Sequence, residues 1–170
     1  MTTRSHAIRE VEKLIRDVKT AMLTTRSGDG RLVSRPIATR QREFDGELWF
    51  LTAMDSKKVH ELLADPRVNI AYVNEADAEY VSIDGRATVV RDTKKIEEMW
   101  TMFDDVWFPK GKRDPNVVAL QVTVDTAETW TSSTSAIGRV FDFLRAKVTG
   151  DSTAMGEQRH FELQEPAPRH

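Results

Sequence analysis

The chain contains no cysteine among its 170 residues. That excludes a disulfide framework, a cysteine-ligated zinc finger and a thiol nucleophile. It also lacks a dominant charge: 25 lysines and arginines face 27 aspartates and glutamates, for a formal net charge of −2. Affinity for nucleic acid that rests on neutralising phosphates needs a strongly basic surface, so no nucleic-acid partner is expected. No apolar run approaches the roughly 18 residues of a membrane span, so no membrane partner is expected either. The N-terminus "MTTRSHAIREVEKLIRD" is charged throughout and has no apolar segment of the secretory kind, which makes a cytoplasmic location the expectation. The histidines at 6, 60, 160 and 170 share no ligand spacing, and no metal site is assigned. G-x-S-x-G, the P-loop and G-x-G-x-x-G are all missing. No side chain stands out as a general acid, base or nucleophile, so the catalytic residues are unassigned.

What is present is an ordinary globular composition, 39% hydrophobic and 31% charged, with a length that suits one domain. Ile8, Val11, Leu14, Ile15 and Val18 recur at helical spacing and predict an opening amphipathic helix. Residues 21–26, 31–40 and 47–52 read as three strands of an antiparallel meander with short turns. A helix over 56–65 follows, with Val59, Leu62 and Leu63 on its apolar face. Residues 67–73 and 80–91 read as two further strands, and Gly85 inside the second suggests a bulge. A helix over 93–103 presents Ile96, Met99, Trp100 and Phe103. Residues 107–116 form a turn-rich loop, and 117–132 a long strand. The segment 132–138 loosens the chain before a short apolar stretch around Val140, Phe141, Phe143 and Leu144. Residues 1–150 are taken as a single domain and 151–170, with Pro166 and Pro168, as a polar, flexible or draped tail. Six strands with a few helices predict a mainly β fold, a small, partly closed antiparallel barrel.

One detail stands out against this background. "DSKK" (55–58) opens a helix, with Asp55 or Ser56 placed to cap it. Lys57 and Lys58 then fall in the first turn, where the helix dipole disfavours cations by a few tenths to about 1 kcal/mol. "DTKK" (92–95) opens another helix in the same way, so the pattern alone is as well explained by solvated lysines. The settings differ. The first copy directly follows a strand and neighbours a segment, "VSRPIA", that carries Arg35 between Val33 and Ile37. Alternation puts those three on one face, where an arginine needs a partner. A helix N-terminus with a hydroxyl, lysines and an arginine is suited to a phosphate dianion. Trp49, Phe50, Trp107, Phe108 and Trp130 could wall a flat ring or simply fill the core. The Asp104–Asp105 pair reads as solvated surface.

"SRPI" (34–37), "LWFLTAMDSKKVHEL" (48–62), "YVSIDGRATVVRD" (80–92), "WFPKGKRDP" (107–115) and "AETW" (127–130) occur in an order that resembles the FMN-binding split barrels related to pyridoxamine 5′-phosphate oxidase. Among these the chain is most similar to the general stress proteins. The resemblance implies a six-stranded antiparallel split β-barrel with flanking helices, and a homodimer holding FMN at the subunit interface, with FAD or another flavin left open. It implies cofactor contacts from Arg35, Leu51, Thr52, Ser56, Lys57 and Lys58, and from Trp107 and Trp130 of either subunit. The oxidases have a glutamine where this chain has Tyr80, and "EQRHFELQEPAPRH" does not reproduce their C-terminal substrate motif. Vitamin B6 oxidation is therefore not expected. A flavin-dependent oxidoreductase linked to stress response and a non-catalytic flavin-binding or sensing protein both fit. Deazaflavin or haem in the same barrel, with His60 as the nearest axial candidate, and a ligand-free interaction module are further alternatives.

Overall fold

A computed structural model describes residues 3–39, 43–131 and 157–164. Its elements run α1 (Arg4–Ile15), β1 (Thr20–Arg26), β2 (Leu32–Ala38), β3 (Glu47–Ala53), α2 (Lys57–Ala64), β4 (Arg67–Asn74), β5 (Glu79–Val90), α3 (Thr93–Met99), α4 (Asp104–Trp107), β6 (Val117–Thr131) and β7 (Glu157–Glu162). All strand pairs are antiparallel, in the order β2-β1-β4-β5-β6-β3, with β7 on β6. The fold is the expected mainly β split barrel with flanking helices, built on seven strands in one unclosed sheet rather than six.

The core follows from side-chain alternation. Ala21, Leu23 and Thr25 of β1, Leu48, Phe50 and Thr52 of β3, and Val68, Ile70 and Tyr72 of β4 all turn to one side and are buried. Helix α1 covers them with Ala7, Val11 and Ile15 at helical spacing. On the other face of β3 and β6 a second cluster joins Ile96 of α3 to Val117 and Ala119, with Trp49, Leu51, Trp100 and Phe108 packed around it.

Several expectations are corrected. The three-stranded meander does not form: β2 pairs with β1, but β3 pairs along its whole length with β6. Hairpin reasoning from turn residues misses this because only the distant β6 decides β3's partner. The helix expected over 93–103 stops at Met99. Trp100 is extended, and a new turn starts where Asp104 Oδ2 accepts from Thr101 N at 2.8 Å and Thr101 Oγ1 at 2.9 Å. Asp104 is thus buried, not solvated surface, and holds the turn before α4, while Phe103 is left 71% exposed. Residues 157–162 belong to the sheet and not to a free tail, with Phe161 and the following Leu163 buried. Two apolar residues among charges give too short an alternation to reveal a strand. The segment 132–138, Val140, Phe141, Phe143, Leu144, Pro166 and Pro168 lie outside the described residues.

Gly85 does lie at a bulge, but the extra residue is on the facing strand. Asp84 pairs with Thr126 and Gly85 with Val124, which leaves Asp125 unpaired. A Cβ at Gly85 would stand 2.4 Å from the Thr123 carbonyl oxygen. Gly85→Ala should therefore cost about 1–3 kcal/mol, as overpacking does, lowering the melting temperature by roughly 2–12 °C for a chain of this size. Thermal unfolding by circular dichroism checks this; a melting temperature within a degree of wild type would show that β6 simply moves aside.

Candidate functional site

Helix α2 lies between the two ends of the sheet path. From β2, Arg35 Nη2 donates to Glu61 Oε2 of α2 at 2.8 Å, and Arg35 Nη1 donates to Thr25 Oγ1 of β1. Thr25 Oγ1 in turn donates to Glu61 Oε2 at 2.6 Å. From α2, Lys58 Nζ donates to Thr52 Oγ1 at the end of β3, at 2.9 Å. Lys57 Nζ stands 3.8 Å from Glu61 Oε1. Arg35, Thr52, Ser56, Lys57 and Lys58 are thus brought to one place. Arg35 faces inward with Val33 and Ile37, as alternation predicts.

The reason α2 begins at Lys57 is tertiary. Asp55 does not cap it: Asp55 N donates to Asn116 Oδ1 at 3.1 Å, and Asn116 Nδ2 donates to Asp55 Oδ1 at 3.0 Å. Ser56 takes the N-cap position with an extended backbone, yet its side chain caps nothing. Ser56 Oγ is buried and has no hydrogen-bond partner among the described residues. A hydroxyl in that state normally costs about 1–3 kcal/mol, and a ligand atom that accepts from it would remove the cost. The twin copy behaves differently. Asp92 is the N-cap of α3 and accepts from Lys95 N at 3.1 Å, while Lys95 Nζ sits 4.5 Å above the Trp49 ring. The second copy satisfies itself, and the first does not.

Glu61 is the residue that sequence reading misses. The apolar face of α2 is Val59 and Leu62, with Glu61 buried beside them, whereas Leu63 is 61% exposed. The only signal was Arg35's need of a partner. The Thr25 hydrogen bond, followed by Arg35 and Lys57, holds the Glu61 carboxyl below its ordinary value of 4.5 despite burial. Burial, with Arg35's charge added, pushes the Lys58 ammonium below its ordinary 10.5. Three cations and one carboxylate leave a formal surplus of two positive charges. That matches a phosphate monoester, which carries about −1.5 to −2 near neutral pH.

Leu51 lies in the outer cluster beside Trp49, one residue from Thr52. Among the described residues neither Trp107 nor Trp130 makes a hydrogen bond or ring contact with this place. Trp107 is 77% exposed on α4. Trp130 pairs with Tyr80 near the end of β6, twelve residues beyond Val118, the partner of Thr52. That is on the order of 40 Å of extended chain. His60, the haem candidate, is on the exposed side of α2. No group of three or more potential metal ligands occurs among the described residues, and none of their helices is long and apolar enough to cross a membrane.

The fold agrees with comparison to known proteins. The family model described as pyridoxamine 5′-phosphate oxidase like matches residues 6–154, and the chain belongs to that family. Protein bli-3 of Neurospora crassa is 28% identical over 168 residues, covering 93% of this chain and 80% of that one. A candidate general stress protein 26 from Jannaschia sp. CCS1 superimposes with a TM-score of 0.74 at 25% identity, covering 93% of this chain and 99% of that one. The general stress FMN/FAD binding protein of Xanthomonas citri gives 0.65 at 25% identity, covering 77% and 92%.

The depressed Glu61 carboxyl has a pH signature. Such a group contributes stability that is fully present above its unfolded value and is lost as pH falls through the folded one. Glu61→Gln removes that contribution and should lower stability at pH 7 by about 1.5–3 kcal/mol. The gap to wild type should narrow as pH drops below 4.5, the ordinary value. Urea unfolding at pH 7 and pH 3.5 measures it; a gap of the same size at both would mean that the Glu61 carboxyl titrates alike in the folded and unfolded chain.

Proposed function

We propose that the protein binds FMN, gripping its phosphate with Ser56, Lys58, Lys57 and Arg35, and serves as a flavin-dependent oxidoreductase in stress response. The observation that carries this is the buried, unpartnered Ser56 Oγ at the start of α2, set among three cations. A helix N-terminus adds its N–H groups and the positive end of its dipole to that set. Thr52 and Leu51, at the end of β3, are placed to border what the phosphate is attached to. FMN, when bound, supplies hydride and electron transfer; the chain supplies position and electrostatics. The stress-protein relatives support the assignment, and the FMN/FAD binding named for the Xanthomonas citri protein supports a flavin as the ligand. Tyr80, 42% exposed on β5, stands where the oxidases have a glutamine, so the substrate is not taken to be a B6 vitamer.

A second reading, a flavin-binding protein without turnover, has its own support: both shifted groups of the site, Lys58 and Glu61, are engaged with protein partners rather than poised as a free acid or base. Oxidation of reduced nicotinamide by the flavin-loaded protein separates the two.

The phosphate assignment is tested by ligands that differ only there. Riboflavin lacks the phosphate, and losing two hydrogen bonds to a charged partner at about 1.5–3 kcal/mol each should weaken binding by roughly 100-fold or more. Lys58→Glu should weaken FMN more than Lys58→Ala does, since it sets a carboxylate against the phosphate. Lys95→Glu, at the self-satisfied twin, should leave FMN affinity as it is. Titration by flavin fluorescence decides. Equal affinities for FMN and riboflavin, or equal effects at Lys58 and Lys95, would sink the assignment.

We further propose a homodimer with the flavin between subunits. Trp130 lies too far along β6 from Thr52 to share a ligand with Ser56 of its own chain, and a second copy could present it. Met102, Phe103, Val106 and Trp107 are 71–78% exposed and offer the apolar area a partner would cover. Light scattering should give a dimer mass with or without FMN; a stable monomer that binds FMN fully would overturn this.

A further inference from the structure

Glu61 is an expensive residue in its position. It lies between Val59 and Leu62 on the core face of α2, with its side chain 5% exposed. An apolar side chain of similar volume usually fills such a place at no loss of stability, and a carboxylate persists there only when paired and hydrogen-bonded. Its pairing is uneven. Oε2 accepts from both Thr25 and Arg35, while Oε1 is buried with no hydrogen bond and only Lys57 at 3.8 Å. One oxygen therefore ties β1, β2 and α2 together, and the side chain it fixes is a long arginine at an end of the sheet. Arg35 spends Nη1 on Thr25 and Nη2 on Glu61, two of its five N–H groups, and no other Arg35 bond forms among the described residues. Its charge reaches Lys58, so the guanidinium is held beside the start of α2.

We propose that Glu61 is a positioning residue that fixes Arg35 in place for the ligand's phosphate, and so sets how strongly the site prefers a phosphorylated flavin over a neutral one. This rests on the flavin-phosphate reading above. The physical reason is preorganisation. Arg35 loses its rotamer freedom when the chain folds rather than when the ligand binds, and its remaining donors meet the phosphate already oriented. Glu61 also keeps the surplus at two positive charges instead of three, which suits a dianion. The same carboxylate repels that dianion, so its net effect depends on whether Arg35 is there to be held.

That dependence gives a test whose sign changes. The ratio of FMN to riboflavin affinity is measured by flavin fluorescence for wild type, Glu61→Ala, Arg35→Ala and the double variant. With Arg35 present, Glu61→Ala should lower the ratio at least about tenfold, the worth of one charged hydrogen bond, while riboflavin affinity stays within about threefold. With Arg35 already removed, Glu61→Ala should cause no further loss and should raise the ratio, because only the repulsion is relieved. Glu61→Gln, which keeps an oxygen within reach of Arg35, should lose less than Glu61→Ala; it carries the same cycle if the alanine variant does not fold. A ratio that is unchanged or higher in Glu61→Ala with Arg35 present, or the same loss in both backgrounds, overturns the proposal. Equal loss of FMN and riboflavin would assign Glu61 to folding alone. A wild-type ratio near one would instead remove the flavin-phosphate reading itself, and this inference with it.

Discussion

The sheet has two ends, β2 and β3, and one helix holds them. Arg35 of β2 reaches Glu61 of α2, and Lys58 of α2 reaches Thr52 of β3. An open sheet end presents unpaired backbone groups and invites other partners, so a fold must cover or occupy it. Here the cover is polar and charged. The apolar core supplies the stability, through Leu23, Phe50, Ile70, Ile83 and Leu120. The Arg35–Glu61 pair, by contrast, is of the kind whose desolvation roughly cancels its attraction. What the pair contributes is geometry. It makes the split between β2 and β3 into a place with a fixed arrangement of cations.

The two lysine-rich helix starts show how far local sequence goes in determining such a place. "DSKK" and "DTKK" are nearly identical, yet the helices begin one residue apart within the motif. Asp92 caps its helix, whereas Asp55 exchanges two hydrogen bonds with Asn116, which lies just before β6. The capping position then falls to Ser56, whose hydroxyl is left over. Lys95 finds a Trp49 ring, and Lys58 finds Thr52 and the neighbouring charge of Arg35. A partner distant in sequence, Asn116, decides which copy is complete by itself and which is not.

Much of the fold was legible because it is written in period. The alternation that buries Leu48, Phe50 and Thr52 on one face of β3 is local, and so is the helical spacing of Val11 and Ile15. The pairing of β3 with β6 rather than β2 was not legible, because alternation says which face a strand buries and nothing about its neighbour. Strand β7 was hidden by the charges that surround Phe161. In the site, the cations could be read from the sequence, since a lysine in a first helical turn and an arginine between Val33 and Ile37 each violate a local rule. Glu61 could not. It breaks no rule by composition, and the competing assignment of Leu63 to the buried face looked better until the path of α2 across the sheet ends was known. Thr25 was equally silent, an ordinary strand residue until Arg35 and Glu61 are set on either side of it.

The residues that make the site are also the ones that fit the fold least well. Ser56 keeps a buried hydroxyl without a partner, and Lys58 keeps a charge that burial and Arg35 both disfavour. Lys57 and Lys58 stand at the positive end of a helix. Each of these is unfavourable in the same direction, toward an excess of donors and of positive charge. One anion with several acceptor oxygens would relieve all of them at once: it would accept from Ser56, stabilise the charge of Lys58, and neutralise the first turn. If the cluster holds a phosphate as proposed, the small stability given up without ligand is the same free energy that becomes available on binding, and the cluster is half of an ion pair network.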